Sequence, residues 1–166
     1  MKRLYIDLEQ CAKCEDCEMK CSYNLHPRNI GINRLREIAN FALVCRRCED
    51  APCVSACPWE ALEKNENKIL WRYSMRCTSC KSCSNACPFG TIYPETIPFV
   101  FRTCDFCINR LKANEEPVCV SSCPHGGVKF IDLEEDVQKN IYKISDNLVV
   151  YSTTNWVRNG TAAGKK

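Results

Sequence analysis

Cysteine dominates the chemistry available to this sequence, because 16 of its 166 residues are cysteines. Thiolates are soft ligands that suit zinc, copper(I) and iron–sulfur clusters. The cysteines form four groups of four, with none left over. The groups are Cys11-x2-Cys14-x2-Cys17-x3-Cys21, Cys45-x2-Cys48-x4-Cys53-x3-Cys57, Cys77-x2-Cys80-x2-Cys83-x3-Cys87 and Cys104-x2-Cys107-x11-Cys119-x3-Cys123. This spacing predicts that every cysteine is a metal ligand.

The first and third groups have identical spacing and lie 66 residues apart, which indicates an internal repeat. The second, third and fourth groups end in Cys-Pro, whereas the first ends in Cys21-Ser22. Three cysteines at two-residue gaps, with a fourth before a proline, form the bacterial run for a [4Fe–4S] cluster. The first three wrap one face of a cluster and the fourth reaches a neighbouring cluster, so the sequence predicts four paired clusters. Spacing alone leaves three pairings of the groups open.

Other uses of cysteine fit this pattern less well. Structural zinc sites have the same ligand count, but they use pairs of cysteines rather than a triplet with a distant fourth. Disulfides are disfavoured in a reducing compartment. A c-type haem needs Cys-x2-Cys-His, which the sequence lacks. A zinc-stabilised structural or nucleic-acid-binding module is therefore the alternative to iron–sulfur clusters.

Composition supports a role for metal in stability. Hydrophobic residues are 45% of the chain, but this share falls to about 35% without the cysteines, which leaves a thin core. Something other than side-chain packing must therefore help to hold the chain together, as bound metal would. The formal charge of +3 would fall to about −5 with four clusters bound. Because no recognisable nucleic-acid module is present either, we expect no nucleic-acid partner.

We expect a cytoplasmic protein with no membrane span. The segment before Cys11 is too short and too charged for a signal peptide. No run of 18 apolar residues exists. The pair Arg46-Arg47 lies inside a cysteine group, so it does not form a twin-arginine export signal.

Short strands and helical segments must position these cysteines. Apolar and β-branched patterns predict strands at residues 3–8, 68–73, 97–102, 128–131 and 148–151. Asp132 and Glu135 form a capping box that predicts a helix to about Lys143. Apolar residues at helical spacing in 31–44 predict a helix that covers the core or meets a partner, and the core is favoured.

The chain is expected to form one domain over residues 1–152, followed by a polar C-terminal tail over 153–166. Trp156 is a large aromatic residue in this tail. Packing on the domain is favoured, and the alternative is that Trp156 anchors a partner subunit.

Taken together, these motifs resemble the four-cluster, ferredoxin-type electron-transfer subunits of multi-subunit redox enzymes. That family includes the iron–sulfur subunits of dimethyl sulfoxide reductase and formate dehydrogenase. It also includes small cluster subunits of formate hydrogenlyase-type and tungsten aldehyde oxidoreductase complexes. The resemblance covers residues 3–132 and rests on all four cysteine groups, including the insertions before Cys53 and Cys119 and the segment Cys48-Glu49-Asp50-Ala51-Pro52-Cys53. It implies an α+β fold of two nested bacterial ferredoxin-like units, with short strands and helical turns around four [4Fe–4S] clusters.

The resemblance also implies which cysteines share a cluster, because the pairing in that family is nested. The first cluster would be held by Cys11, Cys14, Cys17 and Cys123, and the second by Cys21, Cys104, Cys107 and Cys119. The third would be held by Cys45, Cys48, Cys53 and Cys87, and the fourth by Cys57, Cys77, Cys80 and Cys83.

The function implied by the resemblance is electron transfer without catalysis. The chain would relay electrons to or from a large catalytic subunit of an anaerobic oxidoreductase complex, which holds molybdenum, tungsten or another metal centre. Further electron-transfer subunits could join that complex. The sequence has two histidines, no glycine-rich phosphate loop and no nucleophile–base signature, so we expect no catalysis by the chain itself. The alternative function is a free, diffusing polyferredoxin carrier.

Overall fold

The computed structural model describes residues 1–15, 17–21, 31–94, 97, 104–112 and 114–155. The chain divides into two compact units. The sheet unit comprises Met1–Ile32 and Thr103–Thr153, and the hairpin unit comprises Asn33–Arg102 and Thr154–Lys166. Within the described ranges, no helix combines the length and the apolar character that crossing a membrane requires.

Short helices and strands alternate along the described chain, which confirms a mixed fold of α and β elements. In chain order they are β1 (Arg3–Asp7), α1 (Leu8–Ala12), α2 (Gly31–Leu43), α3 (Pro52–Ser55), β2 (Leu62–Lys64), β3 (Leu70–Arg72), α4 (Ser82–Ala86), α5 (Val118–Ser121), β4 (Val128–Ile131), β5 (Ile141–Ser145) and β6 (Leu148–Tyr151). A single turn of 3-10 helix, Val137–Lys139, precedes β5.

A four-stranded sheet in the order β4-β1-β6-β5 forms the core of the sheet unit. β1 runs antiparallel to β4 and parallel to β6, and β6 runs antiparallel to β5. On β1, Leu4 and Ile6 are buried, whereas the alternate side chains are half-buried. Leu4 lies opposite Phe130 on β4 and Leu148 on β6. The strands predicted at 3–8, 128–131 and 148–151 are therefore confirmed.

β1 leads directly into α1, because Asp7 ends the strand and caps the helix. The carboxylate of Asp7 accepts a hydrogen bond from the backbone N–H of Gln10 at 2.9 Å. This use of an aspartate at the N-cap satisfies one of the amides that lack an intrahelical partner. It also places Cys11 on α1, four residues after the end of β1.

The helix predicted over 132–143 is wrong, because this segment forms the 3-10 turn and β5. Asp132 pairs with the N-terminal ammonium group at 2.8 Å instead of capping a helix. Asp136 caps the 3-10 turn, and Asn140 ends it with a left-handed φ of 58°. The β-branched and aromatic side chains of β5 then pair with β6. Pairing with an existing strand outweighs the local capping signal.

The hairpin unit contains residues 33–43 of α2, the helices α3 and α4, and the antiparallel pair β2–β3. The helix predicted over 31–44 and the strand predicted within 68–73 are confirmed, whereas β2 has no counterpart in the predictions. One hydrophobic cluster in the described part of this unit contains three cysteines. Its buried members are Phe41, Cys45, Cys53, Leu62, Leu70, Cys83, Ile92 and Ile97.

Some predictions fall outside the described residues. The predicted strand at 97–102 does so except for Ile97, and the predicted tail at 153–166 does so beyond residue 155. Trp156 and Ser22 also lie outside the described residues. The single domain over 1–152 stays a prediction.

Candidate metal centres

Four cysteines of the hairpin unit surround one cavity, which we name the Cys45 cavity. Cys45, Cys48 and Cys53 of the second group line it together with Cys87 of the third group. The empty space inside is about 330 Å³, part of which is open to solvent. Leu70 and Ile92 from the core of the unit also line it, beside basic and polar residues. The structure thus brings together four cysteines that are separated by up to 42 residues in sequence.

A second cavity in the same unit, which we name the Cys77 cavity, has the reciprocal composition. Cys77, Cys80 and Cys83 of the third group line it together with Cys57 of the second group. Its empty space is about 300 Å³. Arg72 also lines this cavity, from the end of β3.

Each cavity takes its fourth cysteine from the other group, and two short helices that pack against each other make this possible. α3 carries Cys53, and its chain continues directly into Cys57. α4 carries Cys83, and Cys87 is its C-cap. Cys53 lies within α3 and lines the Cys45 cavity, whereas Cys57 lies beyond the end of α3 and lines the Cys77 cavity. In the same way, Cys83 lies within α4 and lines the Cys77 cavity, whereas Cys87 ends α4 and lines the Cys45 cavity. Each helix, together with the residues that end it, therefore supplies one thiol to each cavity.

In three of the four groups, a tight turn aims a backbone amide at the first cysteine. The residue two positions after that cysteine has a positive φ, although none of the three is glycine. The pairs are Arg47 after Cys45, Ser79 after Cys77 and Phe106 after Cys104. The N···Sγ distance is 3.4 Å for Ser79 and 3.3 Å for Phe106. Such N–H donors favour the charged thiolate, which is the form that binds metal. No glycine marks these turns, so the motif pattern did not predict them.

Burial changes the protonation of the thiols in the hairpin unit. Burial raises the pKa of Cys53 to about 11, and it also raises the pKa of Cys45 and Cys83. Burial acts in the same direction on Cys87, but the hydroxyl of Thr91 lies 3.4 Å from its Sγ, and together with nearby backbone amides it makes the net shift of the Cys87 pKa downward. Metal binding at these buried thiols must therefore release protons.

In the sheet unit, four cysteines are electrostatic neighbours of one another. Burial, followed by the neighbouring Cys104, Cys107 and Cys21, raises the pKa of Cys119 to about 12. Burial and the neighbouring Cys107 and Cys21 raise the pKa of Cys104 to about 11. The guanidinium Nη2 of Arg110 lies 3.4 Å from Cys107 Sγ, so it can donate to that sulfur.

The remaining cysteines of the sheet unit lie around α1 and after α5. Cys11 is on α1, and the amide of Cys14 donates to its carbonyl oxygen at 3.3 Å. Cys17 is exposed. Cys123 directly follows the C-cap of α5, and a Cβ atom on Gly127 would lie 3.5 Å from Cys11 Sγ. The chain that follows Cys123 therefore passes beside Cys11. Shared metal binding by Cys11, Cys14, Cys17 and Cys123 stays a prediction.

The two cavities of the hairpin unit fit an iron–sulfur cluster in the chemistry of their donors. Each presents four soft thiols around a common space, and amide or hydroxyl groups lie against several of the sulfurs. All sixteen cysteines are described, and none forms a disulfide. Among the described residues, no three Cys, His, Asp or Glu side chains are spaced to hold one metal ion.

Two basic residues beside the cavities were not predicted from the sequence. Lys64 lines the Cys45 cavity, and its ammonium group donates to the carbonyl oxygens of Cys48 and Glu49. Arg72 lines the Cys77 cavity and is 1% exposed. Alternation along β3 was the signal that could have identified Arg72. Leu70 points inward and Trp71 outward, so the side chain that follows them, Arg72, points inward.

Comparison with known proteins agrees with this chemistry. A family model described as a 4Fe-4S dicluster domain matches residues 36–133. The chain is 35% identical over 158 residues to the thiosulfate reductase electron transfer subunit of Salmonella typhi, covering 82% of each protein. It is 30% identical over 151 residues to a tetrathionate reductase subunit of Salmonella typhimurium, covering 83% of this chain and 60% of that protein. It is 29% identical over 151 residues to one polypeptide of the anaerobic dimethyl sulfoxide reductase of Shigella flexneri, covering 79% of this chain and 73% of that protein.

Proposed function

This chain belongs to the 4Fe-4S dicluster domain family, and from that premise we propose that it carries four [4Fe–4S] clusters and relays electrons to or from a catalytic oxidoreductase subunit. One relative is named as an electron transfer subunit and others as components of reductases, which supports a non-catalytic role in such a complex. The catalytic partner would hold molybdenum, tungsten or another metal centre. A cytoplasmic location remains part of the proposal.

One observation carries the proposal: each cavity of the hairpin unit gathers three cysteines from one group and the fourth from another. Clusters bound in this way accept and release single electrons. The chain contributes the thiolate ligands, buries three of the sixteen fully and eleven partly, and directs N–H groups at several sulfurs.

The proposed ligand sets are nested. Cys45, Cys48, Cys53 and Cys87 share the Cys45 cavity, and Cys57, Cys77, Cys80 and Cys83 share the Cys77 cavity. In the sheet unit, Cys21, Cys104, Cys107 and Cys119 would form the third set, supported by their mutual electrostatic contact. The fourth set would be Cys11, Cys14, Cys17 and Cys123, supported by the approach of Gly127 to Cys11.

Iron analysis of double cysteine variants tests the pairing. We expect the anaerobically purified chain to hold about 16 iron atoms and an equal amount of acid-labile sulfide. Cys45→Ala with Cys87→Ala should remove no more iron than either change alone, about four atoms, because both residues hold one cluster. The matched control, Cys45→Ala with Cys57→Ala, should remove about eight. Equal losses from the two double variants would contradict the nested sets.

Anaerobic co-purification from the native host tests the role in a complex. We expect a large subunit with its own metal cofactor to remain bound in stoichiometric amount, and mass spectrometry identifies it. If the chain elutes alone at about 19 kDa with its iron, a free polyferredoxin carrier replaces the subunit proposal.

A further inference from the structure

The interior of the hairpin unit contains an ion pair that does not involve any cysteine. Glu37 on α2 is fully buried, and Arg72 on β3 is 1% exposed. Arg72 Nη2 donates to one carboxylate oxygen of Glu37 at 2.7 Å, and Arg72 Nε donates to the other. This two-pronged contact fixes the plane of the guanidinium group.

A third charged side chain joins the ion pair and gives this group of buried side chains a net positive charge. Arg34 is 2% exposed, and its Nη1 lies 2.9 Å from a Glu37 carboxylate oxygen. Its Nη2 donates to the backbone carbonyl oxygen of Arg72 at 2.7 Å, and its guanidinium lies 4.5 Å from the ring centroid of Trp71. Two arginines and one glutamate sum to one positive charge, and we name these three residues the buried cation cluster.

The buried cation cluster reaches the Cys77 cavity through Arg72. Arg72 lines that cavity together with Cys57, Cys77, Cys80 and Cys83. Its Nη1 is buried and makes no hydrogen bond to a nitrogen or oxygen atom of any described residue. Burial would lower the pKa of Arg72, but Glu37 and then the neighbouring Cys77 thiolate outweigh that effect and raise it. A buried cationic N–H thus stands at a cavity built for negatively charged thiolates.

We propose that Arg72 raises the reduction potential of the cluster held in the Cys77 cavity, and that Glu37 limits this effect by offsetting part of the positive charge. The inference rests on the proposed function, because it needs a cluster in that cavity. Reduction there adds one electron, supplied by a neighbouring electron carrier of the complex, and it makes the site more negative by one charge. No bond forms or breaks and no proton is taken up, since Arg72 is already charged.

Burial is what gives Arg72 more influence than other cations in the same region. Interactions between charges are weakened by water and salt at the surface, and much less inside the protein. Arg76 immediately precedes Cys77, but its side chain is 54% exposed and pairs with Glu63 at 3.3 Å. The same change of charge at Arg76 should therefore have little effect on the potential.

The test is an anaerobic redox titration of the full-length, cluster-loaded chain, followed by electron paramagnetic resonance. Arg72→Gln should lower the equilibrium constant for reduction of one cluster at least tenfold. The midpoint potential of that cluster should then fall by at least about 59 mV, the value for a one-electron couple. Glu37→Gln should shift the same cluster upward. Arg72→Lys keeps the positive charge and should keep most of the wild-type potential. Arg76→Gln should change the equilibrium constant for reduction of each cluster less than twofold. Opposite shifts from Arg72→Gln and Glu37→Gln are difficult to produce by general loosening of the fold.

Two results would overturn the inference: unchanged midpoints in Arg72→Gln, or shifts of the same sign in Arg72→Gln and Glu37→Gln. If Arg72→Gln does not retain its iron, Glu37→Gln decides, because an upward shift supports the proposal and an unchanged midpoint refutes it. Wild-type iron content separates this failure from failure of the proposed function. A chain without clusters refutes the function, whereas a loaded chain with unmoved midpoints refutes only the role of Arg72.

Discussion

The two units of the chain bury different kinds of side chain. The sheet unit has an aliphatic core, in which Ile6, Val128 and Val150 lie on three adjacent strands and are almost fully buried. In the hairpin unit, Cys45, Cys53 and Cys83 are themselves core members. The first unit can therefore hold its fold by apolar burial and strand pairing, whereas the second buries groups that carry charge when metal is bound.

This difference shows how a small core can be sufficient. Among its described residues, the hairpin unit has only a two-stranded sheet and helices of about one turn beside α2, and isolated elements of that length are unstable in water. Coordination of these buried thiolates by the proposed clusters would join the ends of these short elements and supply folding free energy that packing does not. We expect metal to be a structural part of the hairpin unit and a smaller contribution to the sheet.

Removal of metal should produce the largest difference between the two units. When iron is stripped anaerobically with a chelator, backbone amides of β2 and β3 should exchange at least about a hundredfold faster, because their unit loses its coordinating bonds. Amides of β1 and β6 should keep most of their protection. Hydrogen exchange with mass spectrometry measures both regions in one sample. Equal loss of protection in the two units would show that the sheet depends on metal as much as the hairpin does.

Strand alternation and cysteine spacing were sufficient to predict several parts of this molecule. The strand at 3–8 was predictable because burial alternates along it, and α2 because its apolar residues recur at helical spacing. The helix predicted over 132–143 was wrong because a capping box is a local signal, whereas β5 forms by pairing with β6, which lies later in the chain. Local propensity cannot indicate that a partner strand is available.

The spacing could single out the cysteines that line the two cavities, but not the groups around them. Metal-ligand spacing is encoded over a few residues and can be read directly. The contact of Glu37 with Arg72 spans 35 residues and depends on α2 lying against β3. The left-handed turn at Ser79 was also hidden, because the residue that usually marks such a turn is glycine.

The buried ion pair gives the second largest expected effect, and it sharpens the comparison because the described core of the sheet unit contains no equivalent. Glu37→Ala should destabilise the hairpin unit by about 3–5 kcal/mol, since it leaves Arg34 and Arg72 buried without their anion. Native-state hydrogen exchange on the loaded chain reports this locally. Glu63→Ala breaks an exposed pair in the same unit and should cost less than about 1 kcal/mol. Similar effects from both changes would mean that burial does not govern these pairs.

A large-to-small change in the aliphatic core should affect the sheet unit only. Ile6 is fully buried on β1, between β4 and β6. Ile6→Ala should lower the free energy of local opening of the sheet by about 2–5 kcal/mol, from lost burial and the cavity left behind. Hydrogen exchange at β1 and β6 measures this change. Iron bound by the cysteines of the Cys45 and Cys77 cavities should stay constant, and its loss would contradict independent cores.

The smallest predicted effect compares one position in two cysteine groups. Ser79 lies two residues after Cys77 and has a φ of 57°. Its hydroxyl is buried without a hydrogen-bond partner among the described residues. Lys13 lies two residues after Cys11 and has an ordinary φ of −82°. Ser79→Gly should stabilise by about 0.5–1 kcal/mol, since glycine adopts positive φ without strain and keeps the N–H that faces the Cys77 sulfur. Lys13→Gly should instead destabilise by a few tenths of a kcal/mol, because it adds only backbone freedom to the unfolded chain. Native-state hydrogen exchange of the amides around each turn gives both values, and a change of the same sign in the two variants would mean that the left-handed turn carries no strain.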